Sequence, residues 1–157
     1  MNKKLSDLLF REASIEDLPS LRELEQGVID AERPFNKQIK KEPTYYYDIE
    51  DLLSSDAAHL LVVEVNGRII ATGYAQIRES TPCFTHKKHA YLGFMYVLPD
   101  FRGQGVNSKI IEKLLMWSKQ QDVEDCYLDV YVENTSAIKA YEKVGFTSSL
   151  IEMKLAL

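Results

Sequence analysis

The chain has 157 residues, 45% of them hydrophobic, a formal net charge of −5 and two cysteines. That length suits a single domain over residues 1–157 with a sizeable core, and no stretch has the composition of a disordered segment. The acidic balance argues against general nucleic-acid binding, no apolar run approaches the ~20 residues of a membrane span, and two distant cysteines do not make a disulfide scaffold.

Residues 8–13 are predicted to form a first strand. Ser14 then opens a helix, with Asp17 three residues on as a relative of the capping box. Ile15, Leu18, Leu21, Leu24 and Val28 give that helix its apolar face, and Pro19 makes its opening turn irregular. Residues 30–43 are polar and lead through Tyr45, Tyr46 and Tyr47 to a short helix near Leu53. Residues 59–65 and 68–77 are predicted strands, joined at Asn66-Gly67, the strongest short hairpin signal. A loop over 79–90 carries Pro82, Cys83, His86 and His89. Residues 91–98 follow as a strand, with Leu92, Phe94, Tyr96 and Leu98 on one face and Gly93, Met95 and Val97 on the other. Residues 126–133 alternate in the same way, Cys126, Leu128, Val130 and Val132 against Tyr127, Asp129, Tyr131 and Glu133. A last strand is predicted at 151–155. The opening Met-Asn-Lys-Lys-Leu-Ser-Asp lacks the apolar stretch of a signal peptide, so a reducing cytoplasm is expected, with Cys126 a buried thiol.

The first chemical signal lies between the strand at 91–98 and the next helix. Pro99-Asp100 marks a turn. Gly103 and Gly105 flank Gln104, and Val106, Ile110, Leu114 and Trp117 then recur at helical spacing. A glycine loop entering a helix leaves free backbone N–H groups beside the positive end of the helix dipole. Glycine lets that backbone approach a phosphate closely, and Arg102 adds a planar cation suited to it. The loop is not a Walker A sequence, because no Gly-Lys-Ser/Thr follows. Nor is it the dinucleotide fingerprint, because Ser108 stands where the third glycine belongs.

The second signal is Asn134, Ala137, Tyr141, Gly145 and Phe146, spaced Asn-x-x-Ala-x-x-x-Tyr-x-x-x-Gly-Phe. Asn134 is a natural helix N-cap and Gly145 a natural C′ residue. Together with Arg102-x-x-Gly105-x-Asn107, the pattern resembles the GNAT family of acetyl-CoA-dependent N-acetyltransferases. The resemblance implies an α/β fold, with a mixed, mostly antiparallel central sheet of six to seven strands flanked by about four helices. It implies that Arg102, Gly103, Gln104, Gly105, Val106 and Asn107, with Ser108 next to them, hold the pyrophosphate of coenzyme A. Backbone groups of Met95, Tyr96 and Val97 would pair with its pantetheine arm, and Asn134 and Ala137 would line it. Asn107 departs from the family pattern, which has glycine or alanine at that position.

The same resemblance makes Tyr141 the acid that protonates the departing thiolate. Asp129 matches the place where some relatives that acetylate protein N-termini carry a glutamate, and is the candidate base. Glu64, Glu32, His86 and His89 are the other candidates, and a water chain would also serve. The expected activity is direct transfer of acetyl from acetyl-CoA to a primary amine, on a small molecule or a protein N-terminus. The loops at 30–47 and 80–90 would shape the acceptor site. The alternative is a non-catalytic coenzyme A-binding regulatory or interaction module. No metal site is expected, because the histidines lack ligand partners at useful spacing. No nucleic-acid or membrane partner is expected either. Pairing of edge or C-terminal strands would make a homodimer, which the sequence leaves open.

Overall fold

Four consecutive apolar residues, Leu60 to Val63, cannot form a half-exposed strand; they need cover on both faces. They receive it in the computed structural model, which describes residues 7–157. The segment scanned for a leader therefore lies, except for Asp7, outside the described residues. The elements are β1 (Leu9–Glu12), α1 (Leu18–Glu32), α2 (Ile49–Ser54), β2 (Ala58–Val65), β3 (Arg68–Glu79), β4 (Lys88–Val97), α3 (Val106–Gln120), β5 (Cys126–Tyr127) and α4 (Thr135–Val144). One sheet runs β1-β2-β3-β4-β5, antiparallel through β4, with β5 parallel to β4. This is the α/β architecture expected, with four helices.

The two sheet faces carry separate cores. On one, α3 lays Val106, Ile110, Ile111 and Leu114 against Leu61, Val63, Ile70, Ala71, Leu92 and Val97. On the other, α1 and α2 bring Leu21, Leu24, Val28, Ile49 and Leu52 against Leu60, Val62, Ile69, Tyr74 and Phe94. The β2–β3 hairpin turns on Asn66 (φ 50°) and Gly67 (φ 76°), as two left-handed residues allow. Asp17 accepts from the Ser14 N–H at 2.8 Å. The turn over Ile15–Asp17 is a 3₁₀ helix before α1 begins with its proline, so the expected irregular opening is observed.

Two expectations are corrected. Among the described residues the sheet has five strands, not six or seven. The strand expected at 126–133 pairs with β4 only through Cys126 and Tyr127, and residues 147–157 form no strand although their apolar side chains lie exposed. Alternation specifies a strand only where a neighbour offers its backbone. The second correction concerns β4. Thr72 faces Tyr96 and Tyr74 faces Gly93, so three steps along β4 span two along β3. The extra residue is a β-bulge, and Phe94 takes φ 54° within it. The bulge flips the side-chain parity. Leu92 packs on the α3 side, whereas Phe94 and Tyr96 pack on the α1 side. Leu92 and Phe94 therefore do not share a face. Gly73 sits opposite the bulge, where an added Cβ would meet Met95 Sδ at 2.7 Å and Ile110 Cγ2 at 2.8 Å.

Candidate active site

The pairing of β4 with its parallel neighbour stops short of the bulge. Beyond Tyr91 and Tyr127 the two segments share no further ladder positions, which leaves the ladder open, a gap in the pairing, between Met95–Val97 and residues 128–133. The far end of β4 leads into the glycine loop. Gly103 (φ 73°) and Gly105 (φ 79°) are left-handed, the conformation that costs glycine nothing. The first α3 amide to find a backbone carbonyl is that of Lys109, on Gly105 at 3.1 Å. Among the described residues, the N–H groups of Gly103, Gln104, Gly105, Val106, Asn107 and Ser108 donate to no backbone oxygen. Arg102 stands at the entrance to this loop. Its Nε donates to Val97 O at 2.8 Å, and its guanidinium stands 5.4 Å from the Tyr96 ring centre. Asn107 Oδ1 is buried and has no partner among the described residues.

Helix α4 is built as its caps predict. Asn134 Oδ1 accepts from Ala137 N at 3.3 Å. At the other end Gly145 (φ 118°) lets its own N–H and that of Phe146 reach Tyr141 O. Tyr141 packs against the α3-side core and edge-on to Phe146, 6.0 Å between ring centres. Burial pushes its phenol above the usual value, and the nearby Glu32 carboxylate adds to the shift.

Glu32, the last residue of α1, is the carboxylate the fold brings to Tyr141. Burial raises its pKa above the usual carboxylate range, and its Oε2 is buried without a hydrogen-bond partner among the described residues. Around it stand Tyr46, Tyr47 and Tyr131. Tyr46 faces both Glu32 and Tyr131. Tyr47 stacks on Phe94 of the bulge, 4.5 Å between ring centres. Asn36 Nδ2 donates to Tyr131 Oη at 3.0 Å, and Phe35 stacks on the same ring. The segment after α1 thus meets the segment after β5 across the gap.

Asp129 is the candidate base from sequence. Its Oδ2 accepts from Tyr91 Oη at 3.0 Å, and Arg78 stands 3.7 Å from that ring centre. His86 and His89 are tied to Ser80 Oγ at 2.6 and 2.8 Å. His89 sits near the Lys88 end of β4, five residues or about 17 Å of strand from Phe94 in the bulge, and His86 lies in the loop before β4. Glu64 accepts from Arg11 Nε at 3.0 Å. Cys126 is half-buried, and burial pushes its thiol up to about 12, so it is no nucleophile at neutral pH.

The sequence reasoning missed Glu25. It is fully buried in α1 and its Oε2 accepts from Tyr46 N at 3.0 Å and Tyr47 N at 2.8 Å. A carboxylate here replaces the ladder that this loop lacks. Its signal was its position on the apolar stripe of α1, four residues after Leu21. Glu25→Ala is expected to destabilise the fold by about 2–4 kcal/mol, as loss of two charge-assisted bonds predicts. Denaturant unfolding measures it.

A concavity of about 240 Å³ lined by Ser20, Glu23, Arg68 and Tyr96 lies apart from these groups, and none of the residues above except Tyr96 borders it.

Comparison with known proteins follows the same residues. An uncharacterised N-acetyltransferase of Methanocaldococcus jannaschii is 30% identical over 87% of this chain, which spans 59% of that relative's length. A mutant of the BH1408 protein of Bacillus halodurans superposes with a TM-score of 0.85 at 22% identity, covering 95% of this chain and 99% of that one. A predicted acetyltransferase of Clostridium acetobutylicum, solved with acetyl-CoA, gives 0.73 at 20% identity, covering 95% and 96%. The model of the acetyltransferase (GNAT) family matches residues 25–146, from Glu25 through the glycine loop to Phe146, and the chain belongs to that family.

Proposed function

We propose that the protein transfers the acetyl group of acetyl-CoA to a primary amine by direct attack on the thioester. The observation that carries this reading is the buried Glu32 carboxylate, its Oε2 without a partner among the described residues and its charge felt at the buried Tyr141 phenol, beside the open ladder between β4 and residues 128–133. The residues at the head of α3 fit the cosubstrate. Left-handed glycines, unpaired N–H groups and the helix dipole suit a pyrophosphate, and the orphaned Asn107 Oδ1 is placed to accept from a bound group. A structural neighbour solved with acetyl-CoA supports the same choice.

Acetyl-CoA supplies an activated acyl group, and the chain supplies position and proton transfer. The backbone of Met95, Tyr96 and Val97, freed from β5, pairs with the pantetheine arm, and Asn134 and Ala137 line it. An incoming ammonium first meets Glu32, which removes its proton; Asp129 is the alternative base. The amine nitrogen then bonds to the acyl carbon as the carbon–sulfur bond breaks. Tyr141 gives its proton to the departing sulfur. A phenol is a weaker acid than a thiol, so this transfer must be concerted with bond breaking. Glu32, now protonated and close by, returns that proton to Tyr141 and then takes the second proton from the amide nitrogen, which it passes to water.

Buried carboxylate and aromatic rings together favour a cationic amine. Acetyl-CoA-dependent thiol release should therefore appear with one class in a panel of polyamines, aminoglycosides, amino acids and short peptides with free N-termini. Thermal stabilisation by acetyl-CoA without release on any amine would overturn the reading in favour of a binding module.

A further inference from the structure

A small amine and a protein N-terminus ask for opposite surroundings. The first is held in a closed pocket. The second needs a groove that stays open where the chain runs on past the reacting amine. The segment over residues 33–47 bears on this choice, because it is pinned rather than splayed. Arg33 Nη1 donates to Lys40 O at 2.6 Å, and Gln26 Nε2 donates to Thr44 O at 3.0 Å. Asn36 Oδ1 accepts from Gln38 N at 3.0 Å, a local turn typical of asparagine. With its oxygen taken by a backbone N–H, the amide presents its nitrogen outward. That nitrogen is what reaches across to Tyr131 Oη at 3.0 Å, while Phe35 stacks on the same ring, 6.0 Å between centres. The Tyr46 hydroxyl faces both Tyr131 and Glu32, so the bridge crosses beside the carboxylate.

We propose that the bridge from Asn36 to Tyr131 is a latch that restricts the acceptor to a small free amine, a compact alkyl or arylalkyl ammonium, and turns away peptide N-termini. The inference rests on the acetyl transfer proposed above. A compact ammonium meets Glu32 end-on, its stem against the rings of Phe35, Tyr46, Tyr47 and Tyr131, whose faces favour a cation. A peptide carries a side chain and a carbonyl on the carbon that bears its amine. Its next residues would press into the place where Asn36 and Tyr131 meet. The latch selects against solution reactivity. An α-amino group of pKa about 7.7–8.0 is far more neutral near pH 7.5 than an alkylamine of pKa about 10.4. A preference for the alkylamine therefore reports the shape and charge of the site.

The test measures acetyl-CoA-dependent thiol release with butylamine, 1,4-diaminobutane, 2-phenylethylamine and tetra-alanine, on wild type, Asn36→Ala and Tyr131→Phe. For the best of the three small amines, wild-type kcat/KM is expected to exceed that for the peptide by about 100-fold or more, the range a shaped pocket supplies. Each variant loses the hydrogen bond of the bridge, and Tyr131→Phe keeps the ring against Phe35. In both, the ratio should fall by about tenfold, as loss of one hydrogen bond allows, through a lower KM for the peptide. Acetyl-CoA should raise the melting temperature of all three proteins alike. A bridge that served stability alone would leave the ratio unchanged, and an unchanged ratio in both variants overturns the proposal. A wild type that prefers the peptide overturns it too, while leaving acetyl transfer standing. Release with none of the four amines overturns it together with that reading.

Discussion

Tyr141→Phe is expected to lower kcat for acetyl transfer on the order of 10²–10⁴-fold, as loss of a positioned general acid does. Acetyl-CoA should still raise the melting temperature as it does in the wild type. The substitution isolates the chemistry because it keeps the ring. The contact with Phe146 and the fit against the α3-side core stay, and only the hydroxyl goes. Among the described residues no protein group is hydrogen-bonded to that hydroxyl, so stability should change by less than about 1 kcal/mol. Burial keeps the phenol protonated well above neutral pH. The acid itself should therefore produce no alkaline decline in kcat within the working range. A packing role would predict the reverse pattern, lowered stability with normal turnover. Equal kcat in both proteins would remove Tyr141 from the mechanism.

The parts that set the cosubstrate site were legible because local rules govern them. Gly103 and Gly105 are needed for left-handed turns whatever surrounds them, and Asn134 and Gly145 cap α4 through atoms within four residues. The Asn66-Gly67 hairpin fixed the pairing of β2 with β3 for the same reason. What escaped depends on partners far away in sequence. The bulge at Phe94 reverses the faces of β4, but period-2 reading assumes no inserted residue. Gly73, smallest where Met95 and Ile110 crowd the opposite strand, was the available sign. The strand at 126–133 alternates as a strand should, and only the missing neighbour limits it to two residues. Glu25 and Glu32 were visible as carboxylates on the apolar stripe of α1, with Leu21, Val28 and Ile29. An acidic group on such a stripe has to be partnered or used; Glu25 is partnered by two amides, whereas Glu32 has the Tyr46 hydroxyl beside it and keeps Oε2 without a partner among the described residues.

Glu32→Gln should separate activity from stability in the opposite sense to an ordinary core mutation. Burial holds the Glu32 pKa above the usual carboxylate range in the folded chain. The folded state therefore binds this proton more tightly than the unfolded state does. Stability contributed by the protonated form is fully present below the unfolded pKa and is lost as pH rises through the folded one. At neutral pH the ionised, desolvated carboxylate is thus a cost to the fold. Glutamine has the same shape and no charge, so its melting temperature at pH 7 should equal or exceed that of the wild type. Turnover should nevertheless fall on the order of 10²–10⁴-fold if this carboxylate takes the proton of the amine. The pH profile adds a second, independent readout. Wild-type kcat/KM should climb with pH as Glu32 ionises, with a limb displaced above the ordinary carboxylate range, and that limb should be absent from the variant. Asp129→Asn is the control, since its carboxylate is engaged by Tyr91. If Asp129→Asn removes the acid limb and Glu32→Gln leaves it intact, the base is Asp129, and Glu32 serves only to attract the cationic acceptor, a role that would appear in KM with kcat unchanged.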